Sequence, residues 1–287
     1  MSLPLPTIAS RVMTTTGFTF PKTMAKMAAL AADPSAPVVV LRGLIESDPL
    51  LAAVVLSQAA QSEPKIATTS VSSALQILGM SAVQGTARTL TPIREDQRTL
   101  IAECWSLGRA TGVMMRVVAR KVQPHIANSS LAAYDDATLH TIGLLHDLGT
   151  PLVAVRFPSE YAAATRRMAA GEGPFAKLLR EELGADTTDV GYLLARNWGL
   201  PEAVAVGIRY HARPMAGEER YQEMLAVLHV ARLLARACGH VAGADRFIEQ
   251  VDDRALSYLR LRLDDYDPIL RAFLDAWEEL ESFEIAA

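Results

Sequence analysis

The sequence has only two cysteines, Cys104 and Cys238, in 287 residues. Two thiols cannot build a disulfide framework, so the reducing cytoplasm is the expected location. The longest unbroken apolar run, residues 50–56, is far shorter than the ~20 residues that span a bilayer. The first residues also lack the basic and then apolar pattern of a secretory signal. We therefore expect a cytoplasmic protein that does not engage a membrane.

The chain also has no excess of positive charge. Its 28 basic side chains are outnumbered by 32 acidic ones, which gives a net charge of −4. Because broad nucleic-acid binding requires a basic excess to neutralise phosphates, nucleic acid is not an expected partner. Hydrophobic residues make up 50% of the chain and charged residues 21%. This composition can bury a substantial core and excludes an intrinsically disordered chain.

Patterns typical of β-strands are nearly absent, and apolar residues recur mostly at helical spacing. The dipeptides Asp33-Pro34, Asp48-Pro49 and Asp267-Pro268 each suit a helix N-cap followed by proline at the first helical position. One apolar stripe, spaced by three and four residues, indicates a long helix over 97–122 that crosses a core. The stripe consists of Leu100, Cys104, Leu107, Thr111, Met114 and Val118. We predict an all-α fold.

The helices are expected to form a two-lobed bundle. Thr91-Pro92 closes the short helices of the first ninety residues, and the long helix follows it. Residues 1–95 are therefore predicted to form an N-terminal helical lobe, and residues 96–287 a second helical lobe. The stretch from Asp264 to Glu284 holds eight acidic residues against a single Arg271. We interpret it as the solvated face of an acidic C-terminal helix rather than as a docking surface.

The dipeptide His146-Asp147 has the clearest chemical potential. An apolar helix that carries Ile142 and Leu145 ends there, and Gly149 suits a left-handed C-cap. An adjacent imidazole and carboxylate can bind one divalent cation. The same two side chains can form a purely structural ion pair at a helix C-terminus. The residue types alone leave both interpretations open.

The wider sequence around this dipeptide resembles a known family. Residues 143–149 read Gly-Leu-Leu-His-Asp-Leu-Gly and resemble the signature of the HD phosphohydrolase superfamily. The chain as a whole resembles its HDOD branch, the HD-related output domain of bacterial signalling proteins, over about residues 18 to 240. The resemblance implies that the second lobe is HD-domain-like. The further matching motifs are Phe20-Pro21-Lys22 and the segments 44–51, 72–79, 190–201 and 208–214.

The resemblance implies four metal ligands, of which this sequence keeps only His146 and Asp147. A first histidine should lie one or two residues after Trp105, where Leu107 belongs to the apolar stripe. A distant aspartate should lie where the sequence has Arg232. Two protein ligands hold a hard cation weakly. We therefore predict no catalytic residue, no cofactor and at most a weakly bound divalent cation at His146 and Asp147.

The vestigial site is expected to form a residual pocket that contains His211, Arg232 and Leu107. The family's paired histidines are reduced to His211 followed by alanine. A guanidinium in place of a carboxylate reverses the local charge. We hypothesise that the Arg232 guanidinium fills the metal position and pairs directly with Asp147.

The resemblance implies a non-catalytic signal-transduction output module that acts through protein–protein contacts. The expected partner is a signalling protein such as a kinase, a cyclase or a receiver-type protein, and a homodimer is a further candidate assembly. The chain is expected to be either a stand-alone protein or an output half. The expected working surface is a groove between the Asp48-Pro49 helix and the helix that ends at His146.

Two alternatives stay open. One is a metal-dependent phosphohydrolase for a nucleotide or cyclic dinucleotide, which would take compensating ligands such as His140, Asp135 or Asp136. The other is a nucleotide-sensing domain that uses the residual pocket without hydrolysis.

Overall fold

The computed structural model describes residues 3–33, 35, 37–64, 68–87, 89–126, 128–243 and 250–286. As predicted, this part of the chain is an all-α, two-lobed helical bundle. The helices of the first lobe are α1 (Leu5–Met13), α2 (Pro21–Ala32), α3 (Val38–Glu46), α4 (Pro49–Ser62) and α5 (Val71–Ala87). Those that follow are α6 (Arg98–Val122), α7 (Asp136–Leu145), α8 (Gly149–Arg156), α9 (Pro158–Ala169), α10 (Phe175–Leu183), α11 (Thr187–Asn197), α12 (Glu202–Tyr210), α13 (Gln222–Ala237), α14 (Asp253–Leu259) and α15 (Leu263–Ala286).

Two short strands close the first lobe, and the sequence did not predict them. Strand β1 (Phe18–Thr19) pairs in parallel with β2 (Thr91–Pro92), with Phe18 opposite Thr91. Strands of two residues are too short to show the alternating pattern by which a strand is recognised. Their pairing brings the beginning of the first lobe against the segment that leads into α6.

Helix α4 lies at the centre of the first lobe. Asp48 is its N-cap, as predicted, and the Asp48 carboxylate accepts the N–H of Leu51 at 3.0 Å. Residues 49–57 of α4 are all buried, so this helix has no solvent-exposed face over more than two turns. A helix that is apolar on all sides is a core helix.

The other two Asp-Pro predictions had different outcomes. Pro34 lies outside the described residues. The prediction that Asp267-Pro268 begins a helix is wrong, because α15 begins at Leu263 and includes Pro268. The Asp265 carboxylate accepts the N–H of Arg262 at 2.8 Å, which stabilises the earlier start.

The second lobe is built around α6. Helices α7, α13 and α15 pack against it, and the predicted stripe from Cys104 to Val118 is buried. Helices α6 and α7 cross closely, because a Cβ at Gly143 would lie 2.7 Å from the Cα of Gly112. This close crossing fixes the position of the C-terminal end of α7.

The two lobes share one hydrophobic core. Helix α4 packs against α6 and α7, and the Ser57 hydroxyl donates to the carbonyl of Trp198 at 2.7 Å. Helix α1, near the beginning of the chain, packs against α11. None of the helices in the described ranges combines the length and the apolar character that a membrane crossing requires.

Candidate functional site

The His146-Asp147 pair lies in the tight junction between α7 and α8. His146 is fully buried, and its Nδ1 lies 2.7 Å from the carbonyl oxygen of Gly143, to which it donates. The left-handed C-cap predicted at Gly149 is wrong, since Gly149 begins α8 and is absent from the positive-φ residues. Glycine is required there by close packing, because any Cβ would collide with the backbone carbonyl of Thr187 on α11.

The Asp147 carboxylate lines a cavity at this junction. The Thr150 hydroxyl donates to it at 2.7 Å. Burial raises the pKa of Asp147, while Thr150 and the positive charges of Arg232 and Arg236 oppose that rise. The predicted direct pairing of Arg232 with Asp147 is not among the contacts of the described residues, where the Thr150 hydroxyl is the side-chain donor to this carboxylate. Arg232 acts on the carboxylate through its charge across the cavity.

His211 lies against His146. The two ring centroids are 5.1 Å apart and the rings are perpendicular. The Nδ1 of His211 donates to the carbonyl of Ile208 at 3.1 Å. Burial, followed by the charge of Arg232, lowers the pKa of His211 well below its usual range. His211 is therefore neutral at physiological pH and brings no positive charge to the site.

The cavity has a volume of about 260 Å³. Two of the three residues predicted for the residual pocket, His211 and Arg232, line it together with Asp147. Leu107 does not line it and is buried in the core at 1% exposure. On α6 the nearer side chain is Cys104, whose pKa is raised by burial and then by the charge of Asp147.

The charged side chains of the cavity wall come from several helices. Arg236 follows Arg232 by one helical turn on α13, so the i, i+4 spacing could have revealed it. Arg180 on α10 and Arg209 on α12 both form ion pairs with Asp189. These two arginines come from separate helices with no shared motif, so no sequence signal could have brought them together.

The residues at this site do not fit a resident divalent metal ion. Among the described residues, no cluster of three or more histidine, cysteine, aspartate or glutamate side chains is placed to hold one. Two arginines instead surround the single carboxylate of Asp147. A dication is repelled by such charges and needs more protein ligands than these.

Of the compensating ligands considered from the sequence, Asp135 and Asp136 lie at the N-terminal end of α7 and His140 lies in its middle. Asp135 caps the N-terminus of this helix and accepts the N–H of Thr138 at 2.7 Å. Asp136 pairs with Arg120, and His140 is buried against Gly112 of α6. A rise of ~1.5 Å per residue places Asp136 ~13 Å from the end of α7 at Leu145, so the two aspartates cannot join a metal site at Asp147. The His140 ring packs on Gly112 and does not line the cavity.

The predicted working groove between α4 and α7 is not open. These two helices are in direct contact, and α4 is buried on all sides over residues 49–57. A cavity of about 400 Å³ lies at the N-terminal end of α7, bordered by Thr69, Tyr134, Thr138 and Pro201. The Thr138 hydroxyl donates to that of Thr69 at 3.1 Å across its edge.

Together, an all-helical two-lobed body and a buried His-Asp pair at a helix junction define a domain of the HD type. The sequence model of the HDOD domain matches residues 18–214, and the chain therefore belongs to the HDOD family.

Solved structures share this fold at low sequence identity. The MmoQ response regulator from Methylococcus capsulatus str. Bath is 21% identical, with a TM-score of 0.62 over 88% of this chain and 97% of that one. An HDOD domain protein of unknown function from Geobacter sulfurreducens is 18% identical, with a TM-score of 0.54 over 96% and 95%. A virulence factor from Campylobacter jejuni is 13% identical, with a TM-score of 0.60 over 89% and 100%. No curated protein matches the chain.

Proposed function

We propose that this chain is a non-catalytic HDOD output module that acts in bacterial signalling through protein–protein contacts. The observation that supports this most directly is the charge around Asp147, where Arg232 stands in place of a further acidic ligand and Arg236 adds a second positive charge. Metal-assisted hydrolysis needs a firmly held ion with an open coordination position. A solved structure of the same fold is named a response regulator, which is consistent with a signalling role.

The signal would act on the contacts that join the two lobes. Ser57 with Trp198 and Thr69 with Thr138 form polar contacts across that interface, beside the cavity near Tyr134 and Pro201. Each polar contact of this kind contributes only ~0.5–1.5 kcal/mol to stability. The free energy of binding a partner can therefore compensate for the loss of these contacts. We propose that a kinase, cyclase or receiver-type partner, or a second copy of the chain, engages this edge.

The absence of catalysis is tested by metal analysis and a turnover assay. The full chain is incubated with Mn²⁺, passed through a desalting column, and measured for bound metal and for hydrolysis of a chromogenic phosphodiester and a cyclic dinucleotide. We expect substoichiometric metal and no turnover above that of Asp147→Ala. Stoichiometric manganese together with turnover that Asp147→Ala abolishes would overturn the proposal in favour of a phosphohydrolase.

A further inference from the structure

Helix α15 is attached to the body of the protein along one face. Its apolar side chains Ile269, Phe273 and Trp277 recur every four residues and belong to the core or pack against it beside α6. Leu263 and Leu274, elsewhere on the same helix, are exposed at 86% and 58%. Elements with few buried side chains open at lower free energy than the central helices of a protein. Helix α15 can therefore detach while α4 and α6 remain folded.

His240, which follows α13, lies between α15 and α6. Its ring meets the Trp277 ring edge to face, with the centroids 4.5 Å apart, and the Phe273 ring at 6.0 Å. Its Nδ1 lies 2.9 Å from the hydroxyl oxygen of Ser106 on α6, within hydrogen-bonding distance. Arg109, three residues further along α6, places its guanidinium 5.2 Å from the Trp277 ring centroid. The attachment of α15 to α6 therefore passes through His240.

The backbone at His240 is held by the end of α13. Gly239 adopts a left-handed conformation, with φ of 95°, and the N–H of His240 donates to the carbonyl of Ala235 at 3.2 Å. This is the arrangement of backbone bonds that commonly ends a helix. The capped turn fixes the direction in which residues 240–243 leave α13, so the His240 side chain and the residues after it move together.

The residues that follow His240 belong to the wall of the cavity next to Asp147. Ala242 and Gly243 both line that cavity. Gly243 has φ of 75°, and a Cβ there would lie 3.3 Å from the Cγ2 of Thr150. The Thr150 hydroxyl donates to the Asp147 carboxylate at 2.7 Å. A continuous series of contacts therefore connects α15 with the carboxylate of the His-Asp pair.

We propose that α15 is a latch on this cavity: while α15 is docked on His240, residues 242 and 243 keep their place in the cavity wall, and when α15 detaches the wall moves. The latch is set by the protonation state of His240. Two charged groups face this ring, Glu281 from α15 and Arg109 from α6. The proposal concerns conformation and does not depend on whether the chain is catalytic.

The direction of the pH dependence follows from the surroundings of His240. Burial lowers the pKa of His240, whereas Glu281 opposes this shift and Arg109 adds to it. Docking therefore favours the neutral imidazole. An unfolded or exposed histidine titrates near pH ~6.5, so the docked state is fully stabilised above that pH. Its stability decreases as the pH falls below ~6.5 towards the lowered pKa.

Hydrogen-exchange mass spectrometry of the full chain tests the coupling between α15 and the cavity wall. Ser106→Ala removes the hydrogen bond to His240 and leaves the apolar face of α15 intact. The amides of α15 and of residues 239–243 should then exchange faster by a similar factor, about two- to tenfold, the range for one hydrogen bond. The slowest amides of α4 should not change. Ser10→Ala, an exposed serine on α1, is the matched control and should change none of these segments.

His240→Asn tests the part played by titration. Its amide does not titrate and still offers the Ser106 hydroxyl a hydrogen-bond partner. Exchange is compared at pH 7.5 and pH 5.5 after correction for the intrinsic pH dependence of amide exchange. In the unsubstituted chain the protection of α15 and of residues 239–243, relative to α4, should fall by up to about tenfold per pH unit, the limit for one proton. In His240→Asn this fall should be absent.

Three results would overturn the latch proposal. The first is that Ser106→Ala accelerates exchange in α15 no more than in α4, so that α15 does not detach by itself. The second is faster exchange in α15 with no change in residues 239–243, which would mean that the cavity wall does not follow the helix. The third is the same pH dependence in His240→Asn as in the unsubstituted chain. None of these measurements involves bound metal or turnover, so the latch and the proposed function can fail independently.

Discussion

At the scale of single residues, Asp48 illustrates how a buried carboxylate is used for structure. It is 1% exposed, caps α4, and accepts hydrogen bonds from the N–H of Leu51 and the hydroxyl of Thr19 on β1. Burial raises the pKa of Asp48 to about 6, although these hydrogen bonds oppose the rise. The carboxylate therefore links the start of α4 to the two-stranded sheet, and its ionised form is disfavoured there.

This pKa predicts a specific pH dependence of stability. An unfolded aspartate titrates near pH ~3.9, so between pH ~4 and ~6 the folded state binds more protons than the unfolded state. The contribution of Asp48 to stability is therefore present at low pH and decreases as the pH rises through this range, by up to ~3 kcal/mol. Asp48→Asn keeps the capping oxygen but carries no charge, so this pH-dependent loss should disappear.

Urea denaturation of both proteins at pH 4.5 and pH 7.5 measures this effect. The free energy of unfolding of Asp48→Asn, relative to the unsubstituted chain, should be higher at pH 7.5 than at pH 4.5. Asp267→Asn, an exposed aspartate on α15, is the control and should show no such difference. If the two variants behave alike, the raised pKa of Asp48 does not govern stability in this range.

Residue types predicted part of the candidate site. The structure brings Asp147, His211 and Arg232 together around one cavity, and His146 lies against His211. The sequence did not predict that the Thr150 hydroxyl, only three residues away, donates to the Asp147 carboxylate. Such a contact depends on where α8 begins, and no sequence pattern indicated that position.

At the scale of helices, the crossing of α6 and α7 determines where the His-Asp pair lies. Gly108 and Gly112 on α6 face Gly143 and the backbone of α7 so closely that a Cβ at any of them would lie within 2.8 Å of a neighbouring atom. Glycine is unfavourable in helix interiors by ~1 kcal/mol relative to alanine, so its use here is explained by packing. The crossing holds the junction with α8 in place.

We therefore predict that Gly143→Ala destabilises the protein by ~1–3 kcal/mol or more, because the added methyl group must separate the two helices. Gly85→Ala in α5 is the matched control, since a Cβ at Gly85 meets nothing within 4 Å. That variant should be stabilised by ~0.5–1 kcal/mol. Thermal denaturation followed by circular dichroism measures both. Equal changes in the two variants would contradict the close packing of α6 on α7.

The helix with the longest apolar stripe was predicted well. The range 97–122 predicted α6 to within a residue, because its apolar stripe extends over about five turns. Helix α8 was not predicted as a separate helix. Helix α8 has eight residues and is buried from Gly149 to Ala154, so it lacks the polar face that makes a helical period visible.

At the scale of the whole molecule, the two lobes are joined by more than their covalent connection. Trp105 of α6 lies with its ring 6.4 Å from both Phe18 and Phe20 of the first lobe. The Arg156 guanidinium, at the end of α8, donates to the backbone carbonyl of Arg11 at 3.1 Å. The N–H of Leu3 donates to the carbonyl of Leu183 at 3.1 Å. The division into residues 1–95 and 96–287 remains a prediction.

The shared core leads us to expect that the two lobes unfold as one cooperative unit. Val55 of α4 is fully buried in the first lobe, and Val55→Ala should lower the free energy of unfolding by ~1–3 kcal/mol through the lost burial and the cavity that remains. In hydrogen-exchange mass spectrometry, the slowest amides of α4 and of α13 should then exchange faster by the same factor, about tenfold for each 1.4 kcal/mol.

Val39→Ala on α3, where the side chain is 45% exposed, is the control and should change exchange in neither helix. Faster exchange in α4 with no change in α13 would instead mean that each lobe is stable on its own. A partner that binds at the interface could then separate two independently folded lobes. In a cooperative chain, such a partner could only shift the two lobes against one another.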